Sequence, residues 1–328
     1  MEKHWKDLLL KSGLPFEYEV KEKFVENGCV VDDEYIYTKK DENAIQKDFS
    51  YDLDATYWKG CSVNFMIECK YKTLDTNWFF LPAPYSYIDG IYADDFFHIG
   101  DYFVNDRFAF SKKHILDKDF IGPLCGKGVE LFKDTYIETN IRKAINQISY
   151  AFVEKIIEGI DEQLYTDTFF DTAFVTIPLI ITNAKLNVIN ERITVQDIKD
   201  ADEIGDVSRE CDFLIHRTKI GNELKRYNEE KLRNYFSANS EYAEKHCRED
   251  SMDRLIDRLS EMPKLILIMN HNYAKDNYLT LFNYIDNLIS EKHPDAIKRR
   301  QPKPKYITDV EDQLKNIIER KNSPTKKE

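Results

Sequence analysis

The sequence predicts an α/β fold, a central mixed β-sheet flanked by helices. Three observations predict it. Residues 50–58 and 62–72 are short apolar segments joined by a brief polar turn at Lys59-Gly60, and they read as paired strands. The region from Thr135 to about Gly159 carries Ile137, Ile141, Ile145, Ile148, Phe152 and Ile156 at helical spacing, the apolar stripe of a long amphipathic helix. The runs Phe174 to Thr182 and Lys264 to Asn270 are apolar enough to be buried strands, and the second needs a sheet to join.

The other elements follow in order. Residues 1–13 read as a short leading helix. Residues 14–28 read as a second helix, with Leu14-Pro15-Phe16-Glu17 opening it and Gly28 stopping it. Glu17, Val20 and Phe24 share a stripe, so Glu17 leans inward, while Glu19 shares a solvated face with Glu22, Lys23 and Glu26. Cys29-Val30-Val31 and Tyr35-Ile36-Tyr37 start a strand or hairpin, and Lys39 to Lys47 is a polar loop. Residues 77–120 are an insertion crowded with aromatics and interleaved with aspartates; packing on the core or a partner chain suits that composition better than base stacking. Leu186 to Val188 is a further strand, 190–262 is charged and helical in composition, and 275–291 is a helix. Residues 1–293 then form one elaborated domain. Residues 294–328 form a basic, partly disordered tail, with ten Lys and Arg against five Asp and Glu from Lys298 onward.

The chemistry concentrates in Ser50-Tyr51-Asp52-Leu53-Asp54-Ala55-Thr56-Tyr57-Trp58 and Ile67-Glu68-Cys69-Lys70. Alternation puts Glu68 and Lys70 on one face of their strand, with Ile67, Cys69 and Tyr71 on the other. It also puts Asp52 and Asp54 on a common face. Two carboxylates and a lysine at one sheet edge can hold a divalent cation and activate a water beside it. A bland alternative exists, in which Glu68 and Lys70 are a cross-strand pair on a solvated face. The seven histidines show no metal-binding spacing, and no Gly-rich phosphate loop is present.

This order of motifs resembles the PD-(D/E)XK, or restriction-endonuclease-like, nuclease superfamily. The resemblance covers residues 14–72 and continues more loosely to about 184; the family's proline before the aspartate is absent. It implies a restriction-endonuclease-like core and a metal-dependent nuclease, most simply a DNA endonuclease of a restriction or phage-defence type. It implies Mg²⁺ or Mn²⁺ held by Asp54, Glu68, the Cys69 backbone carbonyl and Glu17, with Glu19 as the fallback for Glu17. Lys70 would position the attacking water. Asp52 is an auxiliary ligand or replaces Asp54. Gln147 either faces the site or is a plain helix-face glutamine, and the spacing of Gln147 to Tyr150 departs from the family's pattern. Arg142 reads as a surface arginine or a phosphate contact.

Charge and cysteines bound these expectations. The net charge is −12, which opposes broad attraction to nucleic acid and leaves room for a second reading. In that reading the chain is a catalytically silent scaffold that holds a protein partner, or a second copy, through the aromatic insertion. DNA and RNA are not separated by anything in the chain. Six scattered cysteines without a CxxC pair suggest neither a zinc site nor a disulfide framework, so a cytoplasmic protein is the economical reading. No stretch approaches the ~20 apolar residues of a membrane span, and the N-terminal residues do not read as a signal peptide.

Overall fold

The computed structural model describes residues 4–40, 45–58, 62–73, 75–83, 98–100, 102–103, 121–165, 174–239 and 251–289. Most of the aromatic insertion, Lys112 to His114 and the whole basic tail lie outside these residues.

Two helices open the described chain, α1 (His4–Lys11) and α2 (Leu14–Glu26). Pro15 stands in the first turn of α2, where a missing N–H costs nothing. Gly28 closes it at φ 87°, and the Gly28 and Cys29 amides return to Val25 and Phe24. Phe16, Val20 and Phe24 form its buried stripe.

A meander follows: β1 (Val30–Lys40), β2 (Gln46–Trp58) and β3 (Ser62–Lys70), each antiparallel to the last. Strand β4 (Asn77–Pro82) and the short β5 (His98–Gly100) come from the predicted insertion. Trp78 and Phe80 of β4 are fully buried, so this part of the insertion is core. Next come β6 (Leu124–Phe132), β7 (Thr135–Ile137) and the long helix α3 (Thr139–Tyr165). The helix starts later than its sequence stripe suggests, because residues 135–137 pair with β6.

Strand β8 (Phe174–Thr182) is buried throughout and lies parallel to β3 along its whole length. On its other edge it meets β5 through Phe174–Thr176 and β12 (Leu265–Asn270) through Leu179–Thr182. Pro178 falls in the interval between those partners, where a residue without an N–H breaks no ladder bond on that edge. Strand β9 (Lys185–Ile189) precedes the short helices α4 (Val195–Asp200) and α5 (Ile204–Val207). Region 190–262 is less helical than its composition suggests, for it contains β10 (Ser208–Cys211) and β11 (Phe213–Arg217) before α6 (Asn222–Ala238) and α7 (Met252–Ser260). Helix α8 (Asn277–Ile289) ends the described chain.

The described strands form one large mixed sheet in the order β1-β2-β3-β8-β12-β11-β6-β4-β9-β10. Strand β12, from late in the sequence, therefore joins the sheet begun by β1 to β3. Helices cover both sides. α2 and α8 contribute Phe16, Val20, Phe24, Leu281 and Phe282 to one apolar layer. α3, α6 and α7 contribute Ile148, Phe152, Leu232 and Leu255 to the other. Among the described residues no helix is long and apolar enough to cross a membrane.

Gly159 lets α3 approach the start of β8, because a Cβ there would lie 2.7 Å from the Phe174 ring. Alanine gains about 1 kcal/mol over glycine in a helix interior. Crowding a packed core costs about 1–3 kcal/mol, and Phe174 is itself buried and pinned by Gly100. Gly159→Ala is therefore expected to lower the denaturant midpoint despite its better helix propensity; a raised midpoint would show that α3 has room to spare.

Candidate active site

Strands β3, β8 and β12 run parallel and finish level, with Lys70 opposite Thr182 and Thr182 opposite Asn270. This carboxyl-terminal edge is where open α/β sheets place their ligand crevices. Hydrogen bonds hold it in place. Thr182 Oγ1 donates to the Lys70 carbonyl at 2.8 Å, and the Asn183 side chain bonds both the N–H and the carbonyl of Lys72. Asn270 Nδ2 donates to the Ala184 carbonyl at 2.6 Å.

At this edge β2 parts from β3. Their pairing ends at Leu53 and Ile67. Beyond it the Cys69 amide turns to the Asp52 carboxylate, N to Oδ2 2.6 Å. On the other side of Asp52, Glu34 of β1 takes φ 53°, and the ladder pairs Asp33 with Leu53 and Tyr35 with Tyr51 around it. The strand's alternation breaks here. Leu53 and Ala55 enter the layer under α2, whereas Tyr51 enters the layer under α3.

Glu68 is fully buried and ion-paired through Oε1 to Lys70; its Oε2 is buried without a partner. Burial pushes the Glu68 carboxyl up to about 8, against the opposing pull of Lys70, with Asp52 and Glu17 adding to the rise. Asp52 is also raised, first by burial, with Lys70 and the Cys69 amide opposing. Glu17, half-exposed on α2, is raised by burial and by the charge of Asp52, while Lys70 opposes. Burial lowers the Lys70 pKa, but Glu68 and Asp52 outweigh it and the pKa rises. Asp52, Glu68, Lys70 and Glu17 thus form one electrostatic group.

Comparison with protein-family models, curated proteins and solved structures finds no match to this chain. The site therefore has to be argued from its own geometry.

That geometry corrects the expectation for Asp54. Its Oδ1 accepts from Tyr51 Oη at 2.8 Å and its Oδ2 from Lys155 Nζ at 2.8 Å, so it faces α3. Asp52 and Asp54 do not share a face, because the irregularity opposite Glu34 comes between them. The carboxylate beside Glu68 and Lys70 is Asp52. Lys155 also bonds Glu158 at 2.7 Å and lies 5.0 Å from the Tyr35 ring centroid. Sequence reading missed Lys155, although a signal was present: Ile141, Ala144, Ile148, Ala151 and Lys155 follow one buried stripe at alternating three- and four-residue steps.

Other expected residues fall as follows. Gln147 donates to the Ser50 carbonyl at 3.3 Å, and its own carbonyl accepts from Tyr37 Oη at 3.1 Å, so it braces β2 just before Asp52. Tyr150 donates to Glu223 and lies under Lys39, away from the carboxylates. Glu19 does not stand on a merely solvated face: it accepts from Tyr273 Oη at 2.9 Å and lies 3.5 Å from His271 Nε2. Cys69 is core, as expected, but the backbone group it offers to a carboxylate is its N–H.

Among the described residues no three His, Cys, Asp or Glu side chains are gathered closely enough to hold a metal ion. The donor chemistry nevertheless fits a hard divalent cation, since Glu68 keeps a buried oxygen without a partner beside other carboxylates.

Two predictions test this arrangement. An unfolded glutamate releases its proton near its ordinary pKa, whereas folded Glu68 holds it to about 8. Between those values the unfolded state binds fewer protons, so this group makes stability fall as pH rises. Glu68→Gln is expected to flatten the decline in melting temperature between pH 5 and 8 in EDTA; an unchanged profile would place the titration elsewhere. Lys155→Met leaves the part-buried Asp54 without its cation and is expected to cost more than a surface pair, toward the roughly 3–5 kcal/mol of a fully buried one, in urea unfolding. A loss below about 1 kcal/mol, the scale of surface pairs, would show Asp54 to be hydrated.

Proposed function

We propose that this chain is a metal-dependent phosphodiesterase with a restriction-endonuclease-like core, acting on nucleic acid and most simply on DNA. The observation that carries the reading is the electrostatic coupling of Asp52, Glu68, Lys70 and Glu17 where β2 parts from β3. A three-strand meander, a crossover containing α3 and a strand parallel to β3 surround that point.

In this reading Asp52 and Glu68 hold Mg²⁺ or Mn²⁺, with Glu17 beside them. When bound, the cation polarises the scissile phosphate and lowers the pKa of its water. Lys70 keeps its charge because Glu68 and Asp52 sustain it. It orients the attacking water and offsets charge on the phosphate. Glu68 must give up its proton to become a ligand, so cation affinity rises with pH toward about 8.

A second reading has its own observation. Lys70 already pairs with Glu68, and Asp52 is held by the Cys69 amide, so these three side chains already have partners within the protein. A silent scaffold needs no more than that. Its docking surface in the aromatic insertion lies largely outside the described residues.

The deciding experiment is cleavage of plasmid, single-stranded DNA and RNA with Mg²⁺, Mn²⁺ or EDTA. Metal-dependent cutting is expected, lost in Asp52→Asn and Lys70→Ala with the circular dichroism spectrum kept. Asp54→Asn should lower the melting temperature yet retain activity at low temperature. Cutting that survives Asp52→Asn but not Asp54→Asn would return the ligand role to Asp54, and no cutting with any substrate would favour the scaffold.

A further inference from the structure

Helix α1 is eight residues long and buries none of them. An isolated helix shorter than about 12–15 residues is marginal in water, and most helical stability in proteins comes from packing an apolar face. Such a face exists on α1 and is unpacked. Trp5, Leu8 and Leu9 stand at helical spacing with Leu10 beside them, and these four residues are 41–56% exposed. Leu14 and Tyr18, across the Gly13 turn on α2, are exposed as well. Apolar side chains exposed together mark an interaction surface. Lys6 and Lys11 lie on the same helix and make no ion pair among the described residues.

The sequence beyond α8 supplies a matching segment. Thr308-Asp309-Val310-Glu311 has the form of a capping box. Val310, Leu314, Ile317 and Ile318 recur at helical spacing, with Ile307 just ahead of them. Asp309, Glu311 and Asp312 fall at the start of this stripe and Arg320 and Lys321 at its end, the charge order that suits a helix dipole. Pro302 and Pro304 precede the segment and Pro324 follows it, so it reads as a separate unit. Like α1, it has an apolar face and is too short to hold a helix alone.

The end of the described chain brings the two within reach. Tyr278 and Phe282 of α8 pack on Phe24 of α2, with ring centroids 5.8 and 5.5 Å apart, and α1 adjoins α2. The chain therefore continues from the side of the sheet that α2 covers. Residues 290–307 can span roughly 60 Å when extended, about three times the roughly 20 Å length of a helix such as α2. Charge agrees with this placement, because the acidic start of the segment complements Lys6 and Lys11.

We propose that the chain's own residues 308–321 dock as an amphipathic helix on the apolar face of α1. Val310, Leu314, Ile317 and Ile318 lie against Trp5, Leu8 and Leu9, and the acidic first turn faces the two lysines. The C-terminal segment is then a strap that holds α1 in place. The inference does not depend on the cleavage reading.

Hydrogen exchange of the amides of residues 4–11, read by mass spectrometry, tests it. Three proteins are compared: the full chain, a chain ending at Lys305, and the full chain carrying Leu314→Asp and Ile317→Asp. Exchange in β8 controls for folding, and should truncation disturb β8, the double variant decides. The full chain is expected to exchange at least tenfold more slowly across α1 than either altered protein, with β8 unchanged. A synthetic peptide of residues 306–321 should restore protection to the chain ending at Lys305. Equal exchange across α1 in the three proteins would overturn the proposal. If that equal exchange is slow, and light scattering shows a dimer that Trp5→Asp dissociates, the occupant is α1 of a second copy instead. Protection that survives Leu314→Asp and Ile317→Asp would also overturn it, since the apolar stripe would then make no contact.

Discussion

The candidate site depends on one event in the sheet: β3 stays paired with β8 to its last residue but loses β2 beyond Ile67. A strand interior that loses a neighbour leaves backbone groups to satisfy. The Cys69 amide is such a group, and the Asp52 carboxylate takes it. That bond draws Asp52 into the opening and fixes it beside Glu68 and Lys70. The left-handed conformation of Glu34 across the strand is the same event seen from β1. Were the ladder continuous, Asp52 would alternate regularly with Leu53 and could not stand where it does.

Two lysine–carboxylate groups flank this opening, and they differ in a way that separates structure from chemistry. At Asp54 both oxygens are partnered, by Tyr51 and Lys155, and the cation is shared with Glu158. That group is complete and braces β1 and β2 against α3. At Glu68 one oxygen is partnered and one is orphaned under full burial. An unpartnered buried polar atom costs about 1–3 kcal/mol, so the fold carries an expense at Glu68 that it avoids at Asp54. Strongly perturbed carboxyls cluster at functional sites more often than chance allows, and burial has shifted Glu68 in that way.

Much of this was legible in the sequence because local pattern dictated it. The stripe in α2, the Gly28 stop, the paired segments ending in Glu68 and Lys70 and the apolar runs of β8 and β12 all follow from periodicity and turn chemistry. The choice between Asp52 and Asp54 was not legible. Simple alternation puts both on one face, and only the cross-strand irregularity at Glu34 separates them. The strands in the charged stretch after residue 190 were hidden for a related reason. β10 is four residues long and β11 five, too short for periodicity to declare, and their existence is decided by partners distant in sequence. Lys155 was legible but overlooked, since a lysine on a buried stripe is easily taken for the edge of the polar face.

The chain's net charge of −12 sharpens what the carboxylate group can do unaided. Asp52, Glu17 and Glu68 outnumber Lys70, so the group carries more acidic than basic side chains. Lys70 is committed to its carboxylates, so it has little attraction left for a phosphodiester. A phosphate approaching this edge meets repulsion in a poorly screened setting, where unit charges interact far more strongly than in water. In the proposed reading a divalent cation would reverse that sign locally, at the orphaned oxygen of Glu68. Any phosphate chemistry proposed at this edge is therefore tied to a bound cation. The acidity that argues against indiscriminate nucleic-acid binding is, at this one point, what would favour a metal.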